Sequence, residues 1–178
     1  MAQPALRLSK LLDEKKIATR VKEMAQEITK LGAKEEVIAV CVLKGSFVFY
    51  SDLIRSIDAD LRTDFIGTSS YGNATKSSGE VKLTLDLTHA IQGKNVLLVE
   101  DIVDTGLTMN YLIRNLEARK PKSRTTVALL HKPEAMKVKT KLDIVGFEIS
   151  NEFVVGYGLD YQGYYRNLPY IAQVQNMN

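Results

Sequence analysis

Cysteine and histidine are scarce in this chain, and their scarcity narrows the chemistry it can perform. The single cysteine, Cys41, lies in the apolar run VIAVCVL. No intrachain disulfide is therefore possible, and the thiol is expected to be a small buried side chain. The two histidines, His89 and His131, are far apart in the sequence, which leaves a zinc site or a Ser-His-Asp triad poorly supplied.

Long apolar runs are also missing. No stretch approaches the roughly 18 consecutive apolar residues that indicate a membrane span. Residues 1–16 mix charges of both signs and lack the apolar core of a signal peptide. We therefore expect a cytoplasmic protein without a membrane partner. The net charge of +3 does not by itself indicate nucleic acid, but it is compatible with a small anionic substrate.

Apolar runs of strand length do occur, and they alternate with helical patterns. The runs at 37–43, 96–99 and 125–130 are typical of buried parallel strands. Amphipathic spacing predicts a helix over 11–31, which Gly32 stops. Two more helices and five more strands are predicted, at 46–57 and 107–119, and at 61–68, 80–87, 143–147, 153–157 and 170–174. The 178 residues suit one α/β domain, 1–178, with a mainly parallel sheet that binds ligands at the carboxyl ends of its strands.

The segment at 69–80 differs from its surroundings. Its sequence SSYGNATKSSGE is polar and contains no large aliphatic residue, so it cannot bury enough apolar surface to hold itself in place. A surface hairpin loop explains this composition. A mobile lid over a reaction that must exclude water explains it equally well.

The most informative segment is VLLVEDIVDTGLTM at 96–109. A buried strand is followed by two acids, a third acid, hydroxyl side chains, a glycine and then a helix. The free N–H groups and positive dipole end of that helix, with the hydroxyls, would form a phosphate cradle. The adjacent acids suit Mg²⁺ or ribose hydroxyls. The residues of this predicted site are Glu100, Asp101, Asp104, Thr105, Gly106, Leu107 and Thr108.

A helix N-cap or a Walker-B strand would account for only part of this segment. A plain N-cap would explain Asp104 or Thr105, but not two further acids directly after four buried aliphatic residues. The string VLLVED also looks like a Walker-B strand. A P-loop NTPase needs GxxxxGK followed by Ser or Thr as well, and the chain contains no such segment.

The string VEDIVDTGLT resembles the phosphoribosyl pyrophosphate signature of type I phosphoribosyltransferases, in the form found in hypoxanthine-guanine members. The resemblance extends from about residue 40 to 174. It implies the type I phosphoribosyltransferase fold, with a mainly parallel central sheet flanked by helices. It further implies a flexible lid at about 69–80 and a small hood built from the N-terminal region and about 150–178. Mg²⁺ is the implied cofactor, and a homodimer or homotetramer the implied assembly.

The resemblance also implies roles for the acids and the loop. Glu100 and Asp101 contact the ribose hydroxyls and Mg²⁺, and Asp104 acts as general base or acid at N7 of the purine. Residues 104–108 hold the 5′-phosphate. Leu107 stands where several relatives carry Lys or another polar residue. Its backbone amide is unaffected by that difference, so the cradle is expected to persist.

Other matching positions are implied to bind the remaining parts of the substrates. Lys132 donates to the purine 6-oxo group, and because an ammonium group has only donors, it favours a 6-oxopurine over adenine. Phe153 stacks on the purine. Asp160 supports a second Mg²⁺, and Arg166 reaches pyrophosphate as a fork donor. The rest of the implied site is the loop at Lys44 and Gly45 for pyrophosphate, the pair Ser70 and Tyr71 on the lid, and the backbone at Val154 and Asp160 for the far edge of the base.

Two alternatives stay open at the level of sequence. A non-catalytic regulator on the same fold would keep the phosphate loop but would not need Lys132, Phe153 and Asp160 together. Another phosphoribosyltransferase, for adenine or a pyrimidine, is disfavoured by Lys132. An assay with hypoxanthine, Mg²⁺ and phosphoribosyl pyrophosphate tests the regulator, and the same assay run across bases tests the other phosphoribosyltransferases.

Overall fold

The computed structural model describes residues 5–32, 35–70 and 81–175, and these form two β-sheets and three α-helices. In chain order the elements are β1 (Leu8–Leu12), α1 (Glu14–Gly32), β2 (Val37–Leu43), α2 (Phe47–Ile54), β3 (Leu61–Ser70), β4 (Val81–Leu85), β5 (Asn95–Val103), α3 (Leu107–Glu117), β6 (Ser123–His131), β7 (Ile144–Glu148), β8 (Val154–Val155) and β9 (Ile171–Val174). A short 3-10 helix, Pro133–Ala135, lies between β6 and β7.

The main sheet has six strands in the order β4-β3-β2-β5-β6-β7. All neighbours run parallel except β4, which pairs antiparallel with β3 at the edge. Helices α1 and α2 cover one face, and α3 covers the other. The predicted α/β fold with a mainly parallel sheet is confirmed.

The central strands read as continuous apolar runs because both faces of the sheet are covered. In β2, Ala39 and Cys41 pack toward α1 and α2, whereas Ile38 and Val40 pack toward α3. All four are at most 1% exposed. The predicted burial of Cys41 is therefore confirmed, and burial raises the pKa of its thiol to about 11.

Several predicted boundaries differ from the structure, and two of these differences have tertiary reasons. The helix predicted from residue 11 begins at Glu14, because Leu12 pairs with Ile171 in the smaller sheet. The strand predicted over 153–157 is only Val154–Val155, because the backbone turns at Gly156 (φ 98°). The helix predicted over 46–57 is also shorter, Phe47–Ile54.

The smaller sheet is antiparallel, with β9 between β1 and β8. Its residues Leu12, Val154 and Ile171 belong to the same buried cluster as the main-sheet residue Val37. The smaller sheet therefore shares its apolar core with the main sheet. No helix in the part of the chain that the structure describes is long and apolar enough to cross a membrane.

A buried carboxylate fixes the segment that follows β4. Asp64 on β3 is 2% exposed and accepts hydrogen bonds from the backbone N–H groups of Phe65, Thr88 and His89. Its Oδ2 also lies 2.9 Å from Nδ1 of His89. Burial by itself raises the pKa of Asp64, but these hydrogen bonds outweigh it and lower the pKa to about 2.

This carboxylate predicts a pH-dependent stability. Because the folded pKa of Asp64 is about 2 and the unfolded value is about 3.9, its contribution is complete above about pH 4. It is lost as the pH falls through 2, and it amounts to about 2 kcal/mol. The free energy of unfolding in urea should be measured for the parent and for Asp64→Asn from pH 7 to pH 2. The difference between the two proteins should become smaller below about pH 4, because the parent then loses the contribution of Asp64. The exposed Asp58→Asn serves as control, and a gap that stays constant over this range contradicts the assignment.

Candidate active site

The acid segment lies at the carboxyl end of β5 and continues into α3. The strand is longer than predicted and contains Glu100 and Asp101 before it ends at Val103. The chain then turns through Gly106, whose φ of 78° is in the left-handed region that favours glycine. Helix α3 starts at the next residue, so its free N–H groups face this turn.

A cavity of about 180 Å³ opens at this turn. It is lined by Glu100, Ile102, Val103, Asp104, Thr105, Gly106, Thr108 and Met109. The predicted loop residues thus surround one cavity at a helix N-terminus, with the exception of Leu107, which is not among the lining residues. Donor groups at such a position suit a phosphate.

The acids of β5 form a tightly coupled pair. Glu100 and Asp101 are 7% and 8% exposed, and the backbone N–H of Asp101 donates to Oε1 of Glu100 at 3.2 Å. Burial, followed by repulsion from Asp101, raises the pKa of Glu100 well above its usual range. Burial also raises the pKa of Asp101. A cation or hydroxyl donors from a ligand would relieve this desolvation and repulsion.

The connection between β6 and β7 supports the loop at 104–108 from behind. The backbone N–H groups of Lys137 and Val138 both donate to the carbonyl of Thr105, at 3.0 and 3.2 Å. The hydroxyl of Thr140 donates to the carbonyl of Gly106 at 3.3 Å. A Cβ on Gly106 would lie 2.5 Å from the carbonyl oxygen of Val138. The loop therefore has no room to shift toward this connection.

The loop after β2 contacts the acid pair directly. The Leu43–Lys44 peptide bond is cis, and the Lys44 side chain is exposed. A Cβ on Gly45 would lie 1.7 Å from Oδ2 of Asp101, so only glycine allows this approach. The structure thus brings Gly45 beside Asp101, although 56 residues separate them in the sequence.

The segment after β8 closes against the same loop. A Cβ on Gly158 would lie 2.1 Å from the carbonyl oxygen of Gly45. Arg166 donates from Nη1 to the carbonyl of Gly158 at 2.6 Å and pairs through Nη2 with Oδ1 of Asp160 at 2.7 Å. The Arg166 charge also lowers the pKa of Asp101, although burial dominates that pKa. Arg166 therefore lies within electrostatic reach of the acid pair.

Lys132 and Phe153 are both available to a ligand. Lys132 is 8% exposed, and its backbone N–H donates to the carbonyl of Val103. Within the described residues its ammonium group makes no hydrogen bond or ion pair. Phe153 is 36% exposed and meets the Tyr161 ring edge-on at 5.9 Å. The next residue, Val154, is buried and pairs with Gln173.

The predicted lid lies mainly outside the described residues. Ser70 is the last residue of β3, and Tyr71 falls in the segment 71–80 that is not described.

Comparison with known proteins identifies the family. Residues 7–162 match the model of the phosphoribosyl transferase domain family. This chain belongs to that family. The hypoxanthine-guanine phosphoribosyltransferase of Bacillus subtilis (strain 168) is 49% identical over 162 residues, which cover 91% of this chain and 90% of that protein. That of Aquifex aeolicus (strain VF5) is 46% identical over 171 residues, 96% of each.

A solved structure extends the similarity to three dimensions. A hypoxanthine-guanine phosphoribosyltransferase from Bacillus anthracis superposes with a TM-score of 0.90 at 47% identity, over 96% of this chain and 99% of that one. The predicted type I phosphoribosyltransferase fold is confirmed.

Two features of this phosphoribosyltransferase site were missed from the sequence. Val138 and Thr140, which lie in the lysine-rich connection between β6 and β7, hydrogen-bond to the loop at 104–108, and neither was among the predicted site residues. Tyr157 was also absent from the predicted site, yet its hydroxyl donates a hydrogen bond to Asp52 on α2. No local pattern marks Thr140. For Tyr157 the flanking glycines were an available signal, since they indicate tight backbone contacts.

Proposed function

We propose that this chain is a purine salvage enzyme that transfers the 5-phosphoribosyl group from phosphoribosyl pyrophosphate to hypoxanthine and guanine. The products are IMP or GMP and pyrophosphate. The observation that carries the proposal is the phosphate-sized cavity at the start of α3, which is lined by Glu100 of the buried Glu100–Asp101 pair. The names of the relatives favour this enzyme over a regulator on the same fold.

The phosphoribosyl group is assigned to the cavity. The 5′-phosphate binds the N–H groups and hydroxyls of residues 104–108, where the dipole of α3 favours negative charge. Glu100 and Asp101 accept hydrogen bonds from the ribose hydroxyls. Asp104, which is exposed and lines the cavity, accepts the proton at N7 of the purine as the base attacks C1′.

The leaving pyrophosphate is assigned to the other side of the acid pair. The backbone at Gly45, the Lys44 ammonium group and the Arg166 guanidinium would bind it, and their positive charge stabilises the departing group. Ser70 and Tyr71 of the lid segment are proposed to cover the substrates. Exclusion of water matters because the transition state should resemble an oxocarbenium ion that water could trap.

Magnesium fits the donor set of this site. Two buried carboxylates with raised pKa values favour a nearby cation, and Mg²⁺ prefers hard oxygen ligands. Among the described residues no three metal-ligating side chains converge, as suits an ion bound largely by substrate and water. Glu100 and Asp101 would hold one ion and Asp160 would support a second. Mg²⁺ bound at these positions would neutralise the negative charge of pyrophosphate.

Base recognition is assigned to Lys132, Phe153 and the backbone at Val154 and Asp160. The Lys132 ammonium group, which has no partner among residues 5–32, 35–70 and 81–175, can donate to a 6-oxo group but cannot accept from a 6-amino group. The half-exposed Phe153 ring offers a face for the purine.

The wider proposal places residues 1–178 in one phosphoribosyltransferase domain, with the smaller sheet as its hood. It includes a cytoplasmic location and a homodimer or homotetramer, in line with the family resemblance. Neither nucleic acid nor membrane is a proposed partner.

A panel of bases tests the function and the role of Lys132 together. With Mg²⁺ and phosphoribosyl pyrophosphate, the parent protein should convert hypoxanthine and guanine but not adenine or orotate, followed by absorbance. Lys132→Met keeps the side-chain length and removes the donor, so kcat/KM for hypoxanthine should fall about 100-fold, as expected for a lost charged hydrogen bond.

The exposed Lys139→Met is the matched control and should retain parental kcat/KM. Adenine turnover by the parent would contradict the assigned base class. Unchanged hypoxanthine turnover by Lys132→Met would remove only that residue from base recognition.

A further inference from the structure

A buried hydroxyl joins two segments that flank the proposed pyrophosphate site. Tyr157 is 6% exposed, and its hydroxyl donates a 2.6 Å hydrogen bond to Oδ2 of Asp52, 105 residues away in the sequence. Asp52 lies on α2, the helix that begins two residues after Gly45, whereas Tyr157 lies in the loop after β8. The bond therefore connects the element behind the pyrophosphate loop to the segment that carries Asp160.

The backbone around Tyr157 is held in an uncommon conformation. Tyr157 has a φ of 52°, in the left-handed region that non-glycine residues seldom adopt. Its N–H donates to the carbonyl of Leu168 at 2.8 Å, and the N–H of Gly158 donates to the carbonyl of Arg166 at 3.0 Å. These bonds hold residues 157–168 in a compact arrangement, here called the frame. Such costly conformations persist where the surrounding structure fixes them, and they cluster at functional sites.

This frame touches the pyrophosphate loop next to Tyr157. Gly158 packs so closely on Gly45 that a Cβ would lie 2.1 Å from the Gly45 carbonyl oxygen. Gly45 in turn packs against the Asp101 carboxylate. The position of Gly45 thus depends on where Gly158 is held, and the bond to Asp52 ties that frame to α2.

The Tyr157 hydroxyl remains a hydrogen-bond donor to Asp52 near neutral pH. Burial, and then the neighbouring Asp52 carboxylate, raise the pKa of Tyr157 far above neutral pH, so the hydroxyl keeps its proton. Asp52 is further oriented by an ion pair with Arg55 on the next turn. The tyrosine does not line the phosphate cavity and therefore does not touch that part of the substrate.

We propose that Tyr157 is a positioning residue for pyrophosphate, which holds Gly158 against Gly45 by means of Asp52. The inference rests on the proposed function, because it takes Lys44, Gly45 and Arg166 as the pyrophosphate site. Phosphoribosyl pyrophosphate carries that group, and the nucleotide product does not. Loss of the hydrogen bond between Tyr157 and Asp52 therefore weakens the binding of phosphoribosyl pyrophosphate and leaves the binding of the nucleotide unaffected.

The test compares dissociation constants by titration calorimetry. In Tyr157→Phe, the constant for phosphoribosyl pyrophosphate with Mg²⁺ should rise about tenfold, the size expected for loss of one charged hydrogen bond. The constant for IMP should change by less than about twofold. The matched control is Tyr50→Phe, which also removes a buried hydroxyl from this region, one that donates to the Ala39 carbonyl at 2.9 Å. Its ratio of the two constants should equal that of the parent.

The positioning role is overturned if both dissociation constants rise by the same factor, or if neither constant changes. Asp52→Ala removes the acceptor from a half-exposed position and should reproduce the ratio seen in Tyr157→Phe, so it replaces that variant if the latter does not fold. The double variant should show no further loss, because both changes break one link. A parent that binds both ligands yet fails to convert hypoxanthine would overturn the proposed function separately.

Discussion

Asp104→Asn should lose about 10²- to 10⁴-fold in kcat with hypoxanthine and keep its affinity for phosphoribosyl pyrophosphate. The expected loss is that of a positioned proton acceptor. Asparagine has nearly the same size but cannot take the N7 proton at neutral pH, and Asp104 accepts no hydrogen bond from the described residues that folding would lose. Stopped-flow or steady-state absorbance gives kcat, and calorimetry gives the binding constant.

The matched control for this change is Glu134→Gln. Glu134 is an exposed acid two residues beyond Lys132 and has no proposed role. Its kcat should stay within about twofold of the parent. If Asp104→Asn turns over as fast as the parent, Asp104 is not the acid–base group. If the variant instead loses affinity and keeps kcat, Asp104 acts in binding.

Gly106→Ala should remove both stability and phosphate binding. Alanine in the left-handed region costs roughly 1–2 kcal/mol, and here its Cβ would also lie 2.5 Å from the backbone carbonyl oxygen of Val138. Because neither backbone can yield easily, the combined loss in the free energy of unfolding should reach about 2–4 kcal/mol. Displacement of the loop should weaken the binding of phosphoribosyl pyrophosphate by at least about tenfold.

Gly93→Ala separates backbone strain from the steric contact. Gly93 also has a left-handed φ, 69°, but a Cβ there would meet nothing within 4 Å. The Gly93→Ala variant should therefore lose only the roughly 1–2 kcal/mol of backbone strain and should bind phosphoribosyl pyrophosphate normally. Urea unfolding and calorimetry on both variants measure the difference. Equal losses in the two variants would show that the contact with Val138 is unimportant.

The chain of strands and helices was predictable because each element has a local pattern. VIAVCVL and the run before Glu100 are continuously apolar because both sheet faces are covered, and neither pattern depends on which strand lies beside it. Strand ends were less predictable. Glu100 and Asp101 lie inside β5 and not after it, since Glu100 and the residues after Asp101 pair with the neighbouring strand β6.

The candidate site was predictable where one contiguous segment carries the chemistry. Residues 100–108 contain the acids, the turn glycine and the helix start within a few positions, so their proximity follows from the sequence itself. Lys132 was singled out by family resemblance. The structure adds that Lys132 is largely buried and that its ammonium group has no hydrogen-bond partner among the described residues, which depends on how β6 lies beside β5.

By itself, the sequence determined the α/β alternation, the acid-rich loop before a helix and the scarcity of cysteine and histidine. Only the tertiary structure decided that Gly45 lies between Asp101 and Gly158, and that Tyr157 reaches Asp52. The physical reason is the range of the interactions. Helix periodicity, strand burial and turn chemistry act over a few residues, whereas close backbone contacts join residues from distant parts of the chain and leave no local pattern behind.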